Sequence, residues 1–236
     1  MTADRWTQAV RQQLGLGRLL PLGGPRDGAW IAEAAADPVL RRAGNAMPGV
    51  RLGALRIGLA DPEGAQAPAV PPPPTALPPG PLRLTADFAA TATEPLTTTA
   101  ARLRTALSVA AAARLGLTVA EIDLRVTALL DEETEPEVVR APEPPEARQS
   151  TGEDAKLVAA AALAVPGVTH LTETLGRAVH IEESPGQAML PRRHVRVELA
   201  VGADHRAVEV ARHVRATVGT ALKDQPSVAV LITAVS

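Results

Sequence analysis

Apolar and polar positions alternate in several short stretches of the chain. In the first half, Leu55, Ile57 and Leu59 alternate with Arg56 and Gly58. Leu82, Leu84, Ala86 and Phe88 share one face of a second stretch. Ile122, Leu124, Val126, Ala128 and Leu130 alternate with Glu121, Asp123 and Arg125 in a third. In the second half, Val195, Val197, Leu199 and Val201 alternate with His194, Arg196 and Glu198, after a short strand around Arg177–Glu183. A period of two predicts strands with one buried face, so His194, Arg196 and Glu198 are expected on the solvated side. The terminal SVAVLITAV reads as a last strand.

Between these stretches the period changes to three and four. Leu96, Ala100, Leu103, Leu107 and Ala110 form one helical stripe, and Val208, Ala211, Val218 and Leu222 another, with Asp204 as its expected N-cap. STGEDAKLVAAAALAV opens with Ser150 and Glu153 at capping-box spacing and stops at Pro166. A helix broken by Asp37-Pro38 ends at Pro48, and Trp6, Val10 and Leu14 mark a short amphipathic helix. Each half therefore reads α-β-β-α-β.

The halves repeat in detail. AMPGVRLG from Ala46 returns as AVPGVTHL from Ala164. Pro48 and Pro166 end a helix, Gly49 and Gly167 supply a freely turning backbone, and Val50 and Val168 begin extended chain. LRTAL from Leu103 aligns with VRATV from Val214, and VTAL at Val126 with ITAV at Ile232. The predicted architecture is α+β, with two tandem α-β-β-α-β domains of one type, each a small sheet covered by helices.

Two stretches are expected to lie outside any packed core. In residues 62–81, nine of twenty residues are proline, which predicts an extended, solvated insertion. Asp131–Glu146 sets seven acids against Arg140, with four prolines, and reads as the linker. The expected boundaries are an N-terminal helix and flexible connector over 1–26 and a first domain over 27–130. A linker over 131–149 and a second domain over 150–236 complete the chain. GLGRLLPLGG from Gly15 belongs to the connector, because it lacks the Gly-Lys-Ser/Thr ending of a phosphate loop.

Composition narrows the function. Hydrophobic residues make up 46% of the chain but aromatics only 1%, so the cores are built from Ala, Val, Leu and Ile. The net charge of −2 predicts no strong electrostatic attraction to nucleic acid or anionic lipid. With no cysteine, disulfides and thiolate chemistry are excluded. The longest apolar run, Leu157–Val165, is far short of the ~20 residues of a membrane helix, so direct membrane insertion is not expected. Asp4 and Arg5 interrupt the N-terminus where a secretory signal would be apolar, and a cytoplasmic location is expected. Only Lys156 and Lys223 are lysine; the preference for arginine, with abundant alanine, suggests a GC-rich bacterial gene.

No catalytic, cofactor-binding or metal-ligating residues stand out. His170, His180, His194, His205 and His213 lack ligand spacing, and Ser108 and Ser184 lack a patterned base. PRRHVR, with Arg192, Arg193 and Arg196, is a local basic cluster without interleaved aromatics to stack bases.

The second half resembles the alkaline-shock and envelope-stress-response family of Gram-positive bacteria. The resemblance rests on VPGV after an alanine-rich helix, VRVELAVG ending on Gly202, VEVARHVRATV and the terminal strand. The first half is similar more loosely, through MPGV and GLTVAEIDLRV. It departs at the proline-rich insertion, and no glycine follows LRLTADFAA where Gly202 stands in the second copy. The resemblance implies KH-like, ring-building-type modules in which Pro48, Gly49, Val50, Pro166, Gly167, Val168 and Gly202 specify the fold. It implies a non-catalytic scaffold without cofactors, self-associating or bound to family paralogues or a membrane-anchored receptor near the membrane. The alternative is a KH-like nucleic-acid-binding module, which needs a GxxG loop and a basic surface that neither half carries.

Overall fold

The computed structural model describes residues 16–131, 139–184 and 192–236. The helix expected around Trp6–Leu14 and most of the acidic stretch of the linker lie outside them. The chain runs β1 (Leu19–Leu22), β2 (Ala29–Ala32), α1 (Glu33–Asn45), β3 (Val50–Leu59), β4 (Leu82–Thr91) and α2 (Leu96–Val109). A π-helical turn (Ala110–Leu115) follows, then β5 (Val119–Leu130), α3 (Glu153–Leu163), β6 (Val168–Leu171), β7 (Val179–Ser184), β8 (Arg192–Val201), α4 (Ala207–Ala221) and β9 (Ser227–Val235). The fold is α+β, with two sheets and four helices among the described residues.

The smaller sheet has the order β3-β4-β5. β3 is antiparallel to β4, and β4 is parallel to β5. Leu82, Leu84, Ala86, Phe88 and Ala90 of β4 are buried, while Arg83 and Thr85 face solvent, as the alternation predicts. The larger sheet has β8 paired on one side with β6 and β7 in succession, both antiparallel, and on the other with β9, parallel. β9 is buried along its whole length after its first residue, and both α4 and α1 pack on it. A strand so covered reads as a continuous apolar run rather than an alternation.

Beyond β9 the sheet continues through β2, parallel, and β1, antiparallel. This overturns the flexible connector expected around Gly15–Gly24. Leu19, Leu20 and Leu22 are almost fully buried, and β1 tolerates Pro21 because it is the sheet's edge strand. The hairpin is clamped onto α4, where Arg212 forms a bidentate pair with Asp27 at 2.9 and 3.0 Å. β2 lies within residues 27–130, yet its backbone pairs with the last strand of the second half. The buried apolar side chains form one continuous cluster across both halves.

The proline-rich insertion also differs from its expectation. It is extended but packed, with Val70, Pro73 and Pro79 buried. The Leu77 amide donates to the Leu19 carbonyl at 2.9 Å, and the Trp30 indole N–H donates to the Leu77 carbonyl at 3.1 Å. Proline stiffness here holds a strap against β1 and β2, because a chain with few free amides needs few partners when it packs. The C-terminal end of the linker docks too: the Ala147 amide donates to the Leu171 carbonyl at 2.9 Å beside β6.

Three local expectations change. α1 passes unbroken through Pro38, which forfeits only the bond to the carbonyl four residues earlier. Neither α3 nor α4 has a side-chain N-cap; Asp204 accepts instead from the His205 ring at 2.9 Å. His194, Arg196 and Glu198 are not on a solvated face, as described below.

Candidate functional site

The two Pro-Gly-Val joints use the same backbone bonds. Ala46 and Ala164 close their helices onto the carbonyls of Arg42 and Ala160. The Val50 amide donates to the Met47 carbonyl at 3.2 Å, and the Val168 amide to the Val165 carbonyl at 3.1 Å. Gly49 and Gly167 both have positive φ, +68° and +91°. Their carbonyls accept from Thr91 and Gly202 respectively, each at 2.9 Å. Thr91 thus stands where the first half lacks a glycine, and the joint needs only its amide. Pro48 and Pro166 are exposed, Val50 is buried against β4, and Val168 pairs with Val201.

A Cβ on Gly167 would lie 2.8 Å from both His205 Cγ and Val210 Cγ2. Gly167→Ala is therefore expected to lower the unfolding free energy by about 1–3 kcal/mol from backbone strain, before any repacking of α4. Gly49→Ala, where the nearest atom is the Thr91 hydroxyl at 2.5 Å, falls in the lower part of that range. Urea denaturation of the two variants checks the order.

The strands repeat a finer feature. The pairing of β4 with β5 shifts register between Phe88 and Ala89, and that of β8 with β9 between Leu199 and Ala200. At each shift a threonine is passed over, Thr127 or Thr233. Its hydroxyl donates back to the neighbouring strand, to the Phe88 carbonyl at 3.3 Å and the Leu199 carbonyl at 3.4 Å.

The outer edges of these third strands differ. Residues Val230–Ile232 of β9 are covered by Ala29–Ile31 of β2. The aligned positions of β5, Leu124–Val126, meet no strand on that side among the described residues. β5 is twelve residues long, with Val126 40% and Leu129 60% exposed. On the far side of the same sheet, β3 is closed by side chains. Asn45 and Arg41 engage the amide and carbonyl of Leu52, and Glu33 and Arg18 those of Ile57. On β5 the one such contact to the edge backbone among the described residues is Arg104 Nε to the Ile122 carbonyl, at 3.2 Å. Unpaired strand edges are templates for another chain.

The larger sheet holds a buried polar group. Glu198 is fully buried beneath the β6–β7 loop, and its Oε2 accepts from the Leu175 amide at 2.9 Å. Thr172 and Thr233 share a buried hydroxyl bond at 2.7 Å nearby. Arg196 Nε approaches Glu198 Oε1 at 3.7 Å, too far for a hydrogen bond. Those two atoms and the Thr174 hydroxyl have no hydrogen-bond partner among the described residues. Burial pushes the Glu198 carboxyl up to about 7, against the opposing pull of the Leu175 amide and Arg196. Burial likewise holds His194 below its ordinary value. The sequence signal was β9 itself: beside a strand with no polar face, β8 has little reason to keep one.

The remaining candidates do not converge. Among the described residues no three His, Asp or Glu side chains are placed to hold a metal ion. His180 pairs with Glu182, His205 with Asp204, and His194 with the Ser227 hydroxyl. In the basic cluster, Arg193 pairs with Asp154 and Asp224, and Arg196 lies against Glu198. A cleft of about 590 Å³ at the start of α3 mixes Arg148, Arg177 and Arg193 with Glu153, Asp154 and Glu173. Its charges favour neither an anion nor a cation. No described helix is long and apolar enough to cross a membrane. No protein-family model, curated protein or solved structure matches the chain.

Proposed function

We propose that the chain consists of two tandem α-β-β-α-β units, the first strand of the second interrupted into β6 and β7, and acts as a non-catalytic assembly module, joining proteins through the open edge of β5. The tandem reading is supported by the shared joints and by the threonine bulge at the same point of both sheets. The observation that carries the function is the contrast between equivalent edges. The second unit's third strand is closed by the chain's own hairpin, whereas the first unit's is a long edge with exposed Val126 and Leu129. An added strand gains main-chain hydrogen bonds, and the flanking side chains set its identity. The motif resemblance supplies the setting, an envelope-stress-type scaffold held near the membrane by a family paralogue or a membrane-anchored receptor.

Affinity capture of the tagged full-length protein from its native cells, under mild detergent, tests this reading. Wild type is expected to bring down a stoichiometric protein partner. Val126→Lys/Leu129→Lys, which blunts the edge at exposed positions, is expected to lose it. Recovery of a lone chain, or equal recovery with both proteins, overturns the reading.

A further inference from the structure

We infer that two copies of this chain join through β5, antiparallel about a two-fold axis at Leu124, extending the three-stranded sheet to six strands. The inference rests on the association reading above and names the partner of that edge as a second copy.

The argument comes from self-complementarity along the strand. With Leu124 opposite its own copy, Asp123 faces Arg125 of the second copy, and symmetry makes that contact twice. On the other face Ile122 meets Val126, again twice, within the regular stretch between the two register shifts of β5. Ile122 and Leu124 are half-buried and Val126 is 40% exposed, so each gains cover that its own chain does not supply. Moving the axis to Asp123 sets Asp123 against itself, and moving it to Arg125 sets Arg125 against itself. Like charges directly opposite disfavour both registers. The axis at Leu124 keeps the helices of both copies on one face and solvates the other.

Three existing contacts bear on the pair. Asp123 lies 3.7 Å from Arg83 in a loose, solvated ion pair that Arg125 of the second copy joins. Arg125 is 74% exposed and already forms a bidentate pair with Asp87 at 2.8 Å. That pair, on the β4 side, uses Nε and one Nη and leaves the other Nη for the second copy's Asp123. Arg104 is exposed where it caps the Ile122 carbonyl, so a second strand takes over that carbonyl by displacing a solvated side chain. An isologous interface of this kind closes on itself and does not propagate into a fibre.

Sedimentation of the purified full-length protein over a concentration series is the test. A short strand pair is a small interface, and a dissociation constant of roughly 1–100 µM is expected. Asp123→Arg and Arg125→Asp each place like charges across the axis and are expected to weaken the pair by about tenfold or more. Mixing the two variants restores opposite charges at both contacts across the axis, so the mixture regains wild-type affinity as a heterodimer. The mixture is its own folding control, since two misfolded chains would not restore a pair. Wild type that stays monomeric to about 300 µM, or a dimer indifferent to the swaps, overturns the inference. The capture experiment separates that failure from failure of the association reading. A different protein lost with Val126→Lys/Leu129→Lys keeps the edge and removes the second copy as its occupant.

Discussion

Trp30→Ala is expected to lower the unfolding free energy by about 3–5 kcal/mol, the range for removing a large aromatic from a close-packed core. Trp30 is 1% exposed in a chain with two tryptophans and one phenylalanine, so the aliphatic neighbours have little bulk with which to refill the space. It stands beside Leu231 in the register of β2 with β9. Its indole N–H also holds the Leu77 carbonyl of the proline-rich strap, and truncation leaves that acceptor without its donor. The strap and the β1–β2 hairpin should therefore loosen together. Urea denaturation reads the stability, and limited proteolysis within residues 62–81 reads the strap. Trp30→Phe keeps most of the volume and is expected to lose about 1–2 kcal/mol, mainly the indole bond. If Trp30→Ala costs no more than Trp30→Phe, the strap is not anchored at this point.

The second large effect is a pH dependence from Glu198. A buried carboxyl near 7 keeps its proton over a range where the unfolded chain has lost it. Stability is then fully present below the unfolded value of about 4.5 and declines as pH rises toward 7, by on the order of 3 kcal/mol in total. His194 acts in the opposite sense, since its depressed folded value adds stability as pH rises through the ordinary histidine range. The carboxyl shift is the larger, so wild type should lose stability from about pH 5 to 7 and then level. Glu198→Gln keeps an acceptor for the Leu175 amide but removes the titration. It should be more stable than wild type at pH 8, with a profile that rises gently toward neutrality as His194 alone dictates. Denaturation curves at several pH values distinguish the two profiles. Parallel curves for wild type and Glu198→Gln would mean that the carboxyl does not titrate in this window.

The strands and helices were legible because each has a dominant period. β4, or α4 with Val208, Ala211 and Val218, buries the positions that the spacing selects, whereas β5 alternates without burying any of them fully. The equivalent joints were legible because Pro-Gly-Val combines a helix stop with a positive-φ glycine, and no side chain substitutes freely there. The β1–β2 hairpin was not. Its LLPL and AWIA strands are only four residues each, glycines surround the first, and β9, the partner of the second, is some two hundred residues away. Alternation in β8 shows that two faces differ in chemistry, not that one meets water. The β6–β7 loop covers the polar face and turns Glu198 into a buried group. Proline content likewise predicted the extended backbone of residues 62–81 but not the indole and leucine contacts that pin it. The open edge of β5 depends on which strands pair, and long-range pairing leaves no mark in local periodicity.

Hydrogen exchange along β5 and β9 tests the central claim most directly. In dilute wild type the amides of β9 should be protected throughout, while those of β5 that point away from β4 exchange rapidly. At high concentration, or with a captured partner bound, the fast β5 amides should become protected and β9 should not change. Uniform protection of β5 in the dilute monomer, or an unchanged β5 in every associated state, would contradict an edge built to receive another chain.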